Sequence, residues 1–178
     1  MTISKWNVDV AHSNVDFSVR HMMVSRVNGS FNNFSAQIEA DAEDLTTANL
    51  SFTIDVASID TRNEDRDNHL RSADFFEVEN YPELTFVSTI IEKQSGNTYN
   101  VTGDVTLHGV TKPETFKVTF EGLAKDPMSG AVKAGFNVEG KIKRSEYGLT
   151  WNAALETGGV LVSDDVKIEL HIQAAKEE

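Results

Sequence analysis

The stretch Val132-Lys133-Ala134-Gly135-Phe136-Asn137-Val138-Glu139-Gly140-Lys141-Ile142 places apolar or small residues at every second position, against Lys133, Asn137, Glu139 and Lys141. Successive side chains of a strand point to opposite faces, so this period predicts a strand with one buried face and one wet one. The same period recurs on both sides of it. Downstream, Val166, Ile168, Leu170 and Ile172 oppose Lys167, Glu169 and His171; upstream, Phe116, Val118 and Phe120 oppose Lys117, Thr119 and Glu121. Further runs start at Trp6, Val15, Phe34, Leu50 and Tyr99, and Leu84 to Ile91 is apolar on both faces, which predicts a strand covered on both sides. Composition agrees, with 18 Val, 15 Thr and 9 Ile favouring strands.

The links are short and carry turn residues, as in Ser95-Gly96-Asn97, Thr111-Lys112-Pro113 and Asp126-Pro127-Met128-Ser129-Gly130. Short links join antiparallel neighbours. Eight or nine such strands must close or fold over, because open edges invite aggregation. Gly103, Gly135 and Gly140, inside strand patterns, mark bends or bulges that help a sheet curl. The fold class expected is all-β, a closed antiparallel barrel. One segment departs from it. Thr61-Arg62-Asn63-Glu64 fits a capping box and precedes a polar stretch whose one strong apolar residue is Leu70. It predicts a helix over about 62–72, with an Asp67–Arg71 pair, lying across a barrel opening and pinned by its charges.

The chain of 178 residues carries 16 Lys+Arg against 28 Asp+Glu, a net charge of −12. Such a surface repels nucleic-acid phosphates and anionic headgroups, so neither is an expected partner. The absence of cysteine excludes disulfides, thiolate-bound metals and thiol catalysis. The stretch Met1 to Asp9 has neither a basic segment nor an apolar run, and nowhere are about 20 apolar residues consecutive. The expectation is a single domain over 1–178, cytoplasmic, without a transmembrane segment. The histidines, 12, 21, 69, 108 and 171, are scattered, and no nucleophile elbow, phosphate loop or zinc motif is present. No catalytic residue, metal ligand or cofactor is therefore assigned.

Six stretches of the chain carry a family resemblance: His12-Ser13; Ser58 to Thr61; Arg66-Asp67-Asn68-His69-Leu70-Arg71-Ser72-Ala73-Asp74-Phe75-Phe76; Tyr81 to Phe86; Gly103 to Pro113; and Arg144-Ser145-Glu146-Tyr147-Gly148. Together they resemble the YceI-like family of lipocalin-like polyisoprenoid-binding proteins, over about Trp6 to Ala174. The resemblance implies an extended eight-stranded antiparallel barrel with a short helix over one end, and a lumen that takes a polyisoprenoid or fatty-acid-like lipid.

On that reading the chain is a carrier or store, not an enzyme, and its partner is an isoprenoid or other lipid; the reading leaves room for a homodimer. The aromatic residues Phe17, Phe52, Phe86, Phe120 and Phe136 would line the lumen, with Phe75, Phe76 and Trp151 near a mouth. Arg66, His69 and Arg144, basic groups in an acidic chain, would meet the polar head. The plainer reading of each aromatic is a filled, dry core, and of each charge a solvated face; alternation alone cannot separate a wall from a plug. The rival function is an enzyme acting on such a lipid, with His21 or His69 as acid/base beside Asp67 or Asp74, and a third reading is a filled barrel that binds a partner.

Overall fold

A computed structural model describes residues 3–22, 24–152 and 161–177. The strands are β1 (Ser4–Val8), β2 (Asn14–His21), β3 (Ser25–Phe31), β4 (Phe34–Asp41), β5 (Asp44–Asp55), β6 (Ile59–Asp60), β7 (Glu83–Ser95), β8 (Thr98–Leu107), β9 (Val110–Lys125), β10 (Val132–Lys143) and β11 (Asp165–Lys176); one helix, α1 (Glu64–Arg71), lies between β6 and β7. Every pairing is antiparallel. Eight strands close on themselves in the order β1-β4-β5-β7-β8-β9-β10-β11, and β11 returns to β1. Its far end makes that closure, Trp6 opposite Lys176, while its near half pairs with β2, Lys167 opposite Ser18. The branch β2-β3-β6 then leads into α1. All-β alternation thus produces the expected eight-stranded barrel with one helix.

Four local expectations are corrected. Thr111-Lys112-Pro113 is no link: the turn is His108-Gly109, both at positive φ (53° and 75°), and Thr111 already pairs with Thr106. Strand β3 has no apolar alternation to mark it, because Ser25 to Phe31 is mostly polar and carries Gly29. Strand β7 is not covered on its outer side; Val87 and Ile90 are 52% and 56% exposed. The helix begins later than the capping box predicts. Arg62 sits at φ 63°, outside helical space, and Asn63 caps instead, its side chain accepting from the Arg66 amide at 3.0 Å.

The charges of α1 do pin it, by other contacts than the expected Asp67–Arg71 pair. Arg71 donates to the carbonyls of Ala57 (2.9 Å) and Ile59 (3.0 Å). The Asp67 carboxylate is buried and accepts from the amide and hydroxyl of Thr61. Leu70 adds the one apolar anchor, against the core around Val56 and Ile59. Register shifts occur opposite Gly103 and at Gly135, as expected of strand glycines; Gly140 shows none and has another role.

Candidate functional site

The barrel interior is divided. The half nearer α1 holds a cavity of about 320 Å³, walled almost entirely by hydrocarbon and aromatic carbon. The other half, around Trp6, Ile38, Ala40, Leu45 and Ala134, is packed, with a void of about 10 Å³, hardly one water. Of the aromatics expected in the lumen, Phe17, Phe52, Phe75, Phe76, Phe86 and Trp151 border the cavity. Phe120 and Phe136 do not. They stack on each other, centroids 5.3 Å apart and planes at 27°, within the packed half. Phe116, outside the expected set, also borders the cavity and shares the inward face of β9 with Phe120.

Glycine seats three of the wall rings. Phe17 lies opposite Gly29 in the β2–β3 register, and a methyl group on Gly29 would collide with its ring. The Phe86 ring lies over Gly103 and the Phe116 ring over Gly140 in the same way. None of these three glycines has positive φ, so what the sites require is the missing side chain. A ring with bare backbone beneath it occupies space that a side chain would otherwise fill. Gly135 lies on the outer face of β10, between Ala134 and Phe136, where a Cβ would meet Glu121 Cβ at 3.4 Å, and seats no ring. Phe120 and Phe136 stack on each other and pack against the cluster around Trp6.

The polar lining gathers at the α1 end. Arg66 and His69 come from α1, and Arg144 from the turn after β10. The His69 ring meets Trp151 edge-on at 4.9 Å and Phe75 at 5.1 Å, while its Nε2 lies 2.9 Å from Asp74 Oδ2. Arg144 is 6% exposed and clasps two segments. It donates to the carbonyls of Leu149 (2.8 Å), Trp151 (2.9 Å), Ser163 (2.9 Å) and Val162 (3.2 Å), four of a guanidinium's five N–H groups. Burial pulls its proton affinity below the ordinary value and the nearby Asp164 opposes this; the group stays charged. Arg66 has more to offer. Its Nε and Nη2 donate to Thr61 Oγ1 (2.8 Å) and O (2.7 Å), which leaves three N–H groups without a partner among the described residues. Of the residues weighed for acid/base work, His21 lines the cavity and bridges Val162, His69 faces Asp74, and Asp67 is committed to Thr61. Among the described residues no group of three or more His, Asp or Glu converges to hold a metal ion.

Beneath this rim the quoted motifs interlock. Tyr147 is fully buried, its hydroxyl donating to Glu114 Oε2 at 3.0 Å, and His108 Nδ1 lies 3.0 Å from its carbonyl oxygen. The Tyr81 ring packs on His108 at 4.8 Å. Gly148 takes φ 79° where a side chain would press on His108. Burial pushes the Glu114 carboxyl up, against the opposing hydrogen bond from Tyr147, and pushes the Tyr147 phenol up as well. These residues hold the rim's shape.

The YceI-like domain matches residues 6–174. The chain belongs to the YceI-like family. A UPF0312 protein of Staphylococcus epidermidis is 47% identical over 167 residues, spanning 94% of this chain and 95% of the relative. Among solved structures, Burkholderia cenocepacia BcnA superposes with TM-score 0.82 at 31% identity, over 93% of this chain and 98% of its own. A polyisoprenoid-binding domain from Saccharophagus degradans shares the fold at 14% identity, with TM-score 0.72, over 99% of this chain and 100% of its own. The YceI-like barrel is therefore the frame in which the cavity sits. Among the described residues no helix is long and apolar enough to cross a membrane.

Proposed function

We propose that this YceI-like protein binds one long apolar amphiphile, a polyisoprenoid or fatty-acid-like chain, inside the barrel and acts as its carrier or store. The single observation that carries the reading is the cavity of about 320 Å³ walled by apolar side chains with a few polar groups at one end. An unfilled space of this kind forgoes packing that a purely structural core would keep. It suits a hydrocarbon: each buried CH₂ contributes about 0.8 kcal/mol, so ten carbons supply about 8 kcal/mol before ordering costs. The name of the Saccharophagus relative, which shares the fold, agrees with an isoprenoid chain.

The polar head belongs with Arg66, which lines the cavity and keeps three N–H groups without a partner among the described residues, beside His69 and the Arg144 clasp. Arg66→Ala should then weaken a diphosphate-headed lipid more than the corresponding alcohol, because a charge-assisted contact is worth about 1.5–3 kcal/mol. The test of binding itself is mass spectrometry of solvent extracts from protein purified without detergent, on wild type and Phe52→Asp. A carboxylate at that wall costs several kcal/mol against hydrocarbon. Lipid should be present in the wild type and lost from a variant that still folds. A wild type that yields no lipid and takes up no isoprenoid in titration sinks the proposal.

A further inference from the structure

We infer that the stacked pair Phe120–Phe136 is the floor of the binding cavity and sets the length of chain that the barrel can hold. The inference rests on the binding reading above and adds a specificity determinant to it. Along β9 and β10 the open volume ends between two adjacent inward rungs. Val118 and Val138, opposite each other in the register, border the cavity; Phe120 and Phe136, the next pair on the same face, do not. The limit falls at the same level on other strands. On β8 Val101 borders the cavity and Tyr99 belongs to the packed cluster; on β5 the change comes between Leu50 and Ala48. Below the pair the barrel is sealed by Trp6 and its neighbours, whose residual void of about 10 Å³ cannot take a methylene chain.

The depth above the floor follows from strand geometry. Val138 borders the bottom of the cavity and Arg144 its rim, six residues further along. At about 3.3 Å per residue and a tilt of about 40° this is about 15 Å along the barrel axis. An extended chain advances about 1.25 Å per carbon, the projection of a 1.52 Å C–C bond, so about a dozen carbons reach the floor. A longer chain must bend back or leave its remainder outside the rim.

The experiment is titration of straight-chain carboxylic acids from six to sixteen carbons, below their micelle concentrations, by displacement of anilinonaphthalene sulfonate from the whole protein. For the wild type, affinity should rise about fourfold per added CH₂ and level off near twelve carbons. Phe136→Ala should lower the floor and move the break to longer acids by about three carbons, the reach of the lost ring at about 1.25 Å per carbon. Because that change removes a packed ring, Val138→Phe is the second arm: it raises the floor by one rung and should move the break to shorter acids. A rise that continues unbroken to sixteen carbons, or a break that stays put in the folded variants, overturns the floor while leaving lipid binding intact. Absence of binding at every length overturns the reading beneath it.

Discussion

The two halves of this barrel are built from the same kind of residue in the same alternation, yet one is open and the other solid. In the half near α1, Phe17, Phe86 and Phe116 lie over Gly29, Gly103 and Gly140. In the other half, Phe120 and Phe136, register partners on β9 and β10, stack on each other beside Trp6, Ile38 and Ala134. The difference teaches that an inward aromatic does not by itself make a core or a cavity. Three rings of the open half have bare backbone beneath them, whereas the Phe120–Phe136 pair packs among the side chains around Trp6.

The largest effect that would break this comparison is a matched truncation. Ile38 is 6% exposed within the packed half, whereas Ile168 borders the cavity. Ile38→Ala should cost about 2–5 kcal/mol, as truncations in dense cores do. Ile168→Ala should cost less than half of that, because its side chain already faces open volume. Denaturant midpoints measure both, and equal losses would mean that the cavity half is as tightly packed as the other.

Glycine substitutions sharpen the comparison at smaller scale. At Gly103 a new methyl meets the Val87 carbonyl oxygen as well as the Phe86 ring. Gly103→Ala should therefore destabilise by about 1–3 kcal/mol, the range for overpacking. At Gly29 the obstacle is only the far end of Phe17, a side chain that can swing. Gly29→Ala should leave stability nearly unchanged and push the ring into the lumen, reducing chain binding about fourfold to sixteenfold, the worth of one or two methylenes. Gly135→Ala, in the packed half with ordinary space around it, should gain about 0.5–1 kcal/mol. Thermal melts with lipid titrations on the three variants would expose a wrong assignment of walls if Gly29→Ala binds as well as wild type.

The smallest expected effect lies at the rim. Burial raises the Glu114 carboxyl above its usual range, so the folded state holds that proton more tightly than the unfolded chain. Its contribution to stability is full below about pH 4, the ordinary carboxylate value, and is lost as pH rises through the raised one. Glu114→Gln keeps an acceptor for the Tyr147 hydroxyl and removes the titration. The variant should gain in melting temperature relative to wild type between pH 4 and pH 7. A relative loss over that interval would show that the hydrogen bond from Tyr147 outweighs the burial of the charge.

The strands were legible because their period is a local property of the chain: once one face must be buried, the alternation from Val132 to Ile142 admits no other element. Antiparallel pairing and closure followed from short links and the need to hide edges. Local signals failed where the chain's environment competes with them. Thr61 looks like a cap, but its hydroxyl is drawn to Asp67 and Arg66, and Asn63 takes its place. The apolar outer positions of β7 look like a covered face and are exposed, because period two reports polarity and not what lies beyond the sheet.

The sequence by itself determined a closed all-β barrel, the polar helix across it, and the set of aromatics that point inward. Only the tertiary structure decided which of those aromatics bound a cavity, and Gly29, Gly103 and Gly140 reach three of the rings from neighbouring strands. It also brought Arg66, His69, Arg144 and Trp151 to one rim from separate elements. Alternation fixes the face of a residue. Its neighbour across the sheet or across the lumen depends on register and closure, and those are set by the whole chain at once.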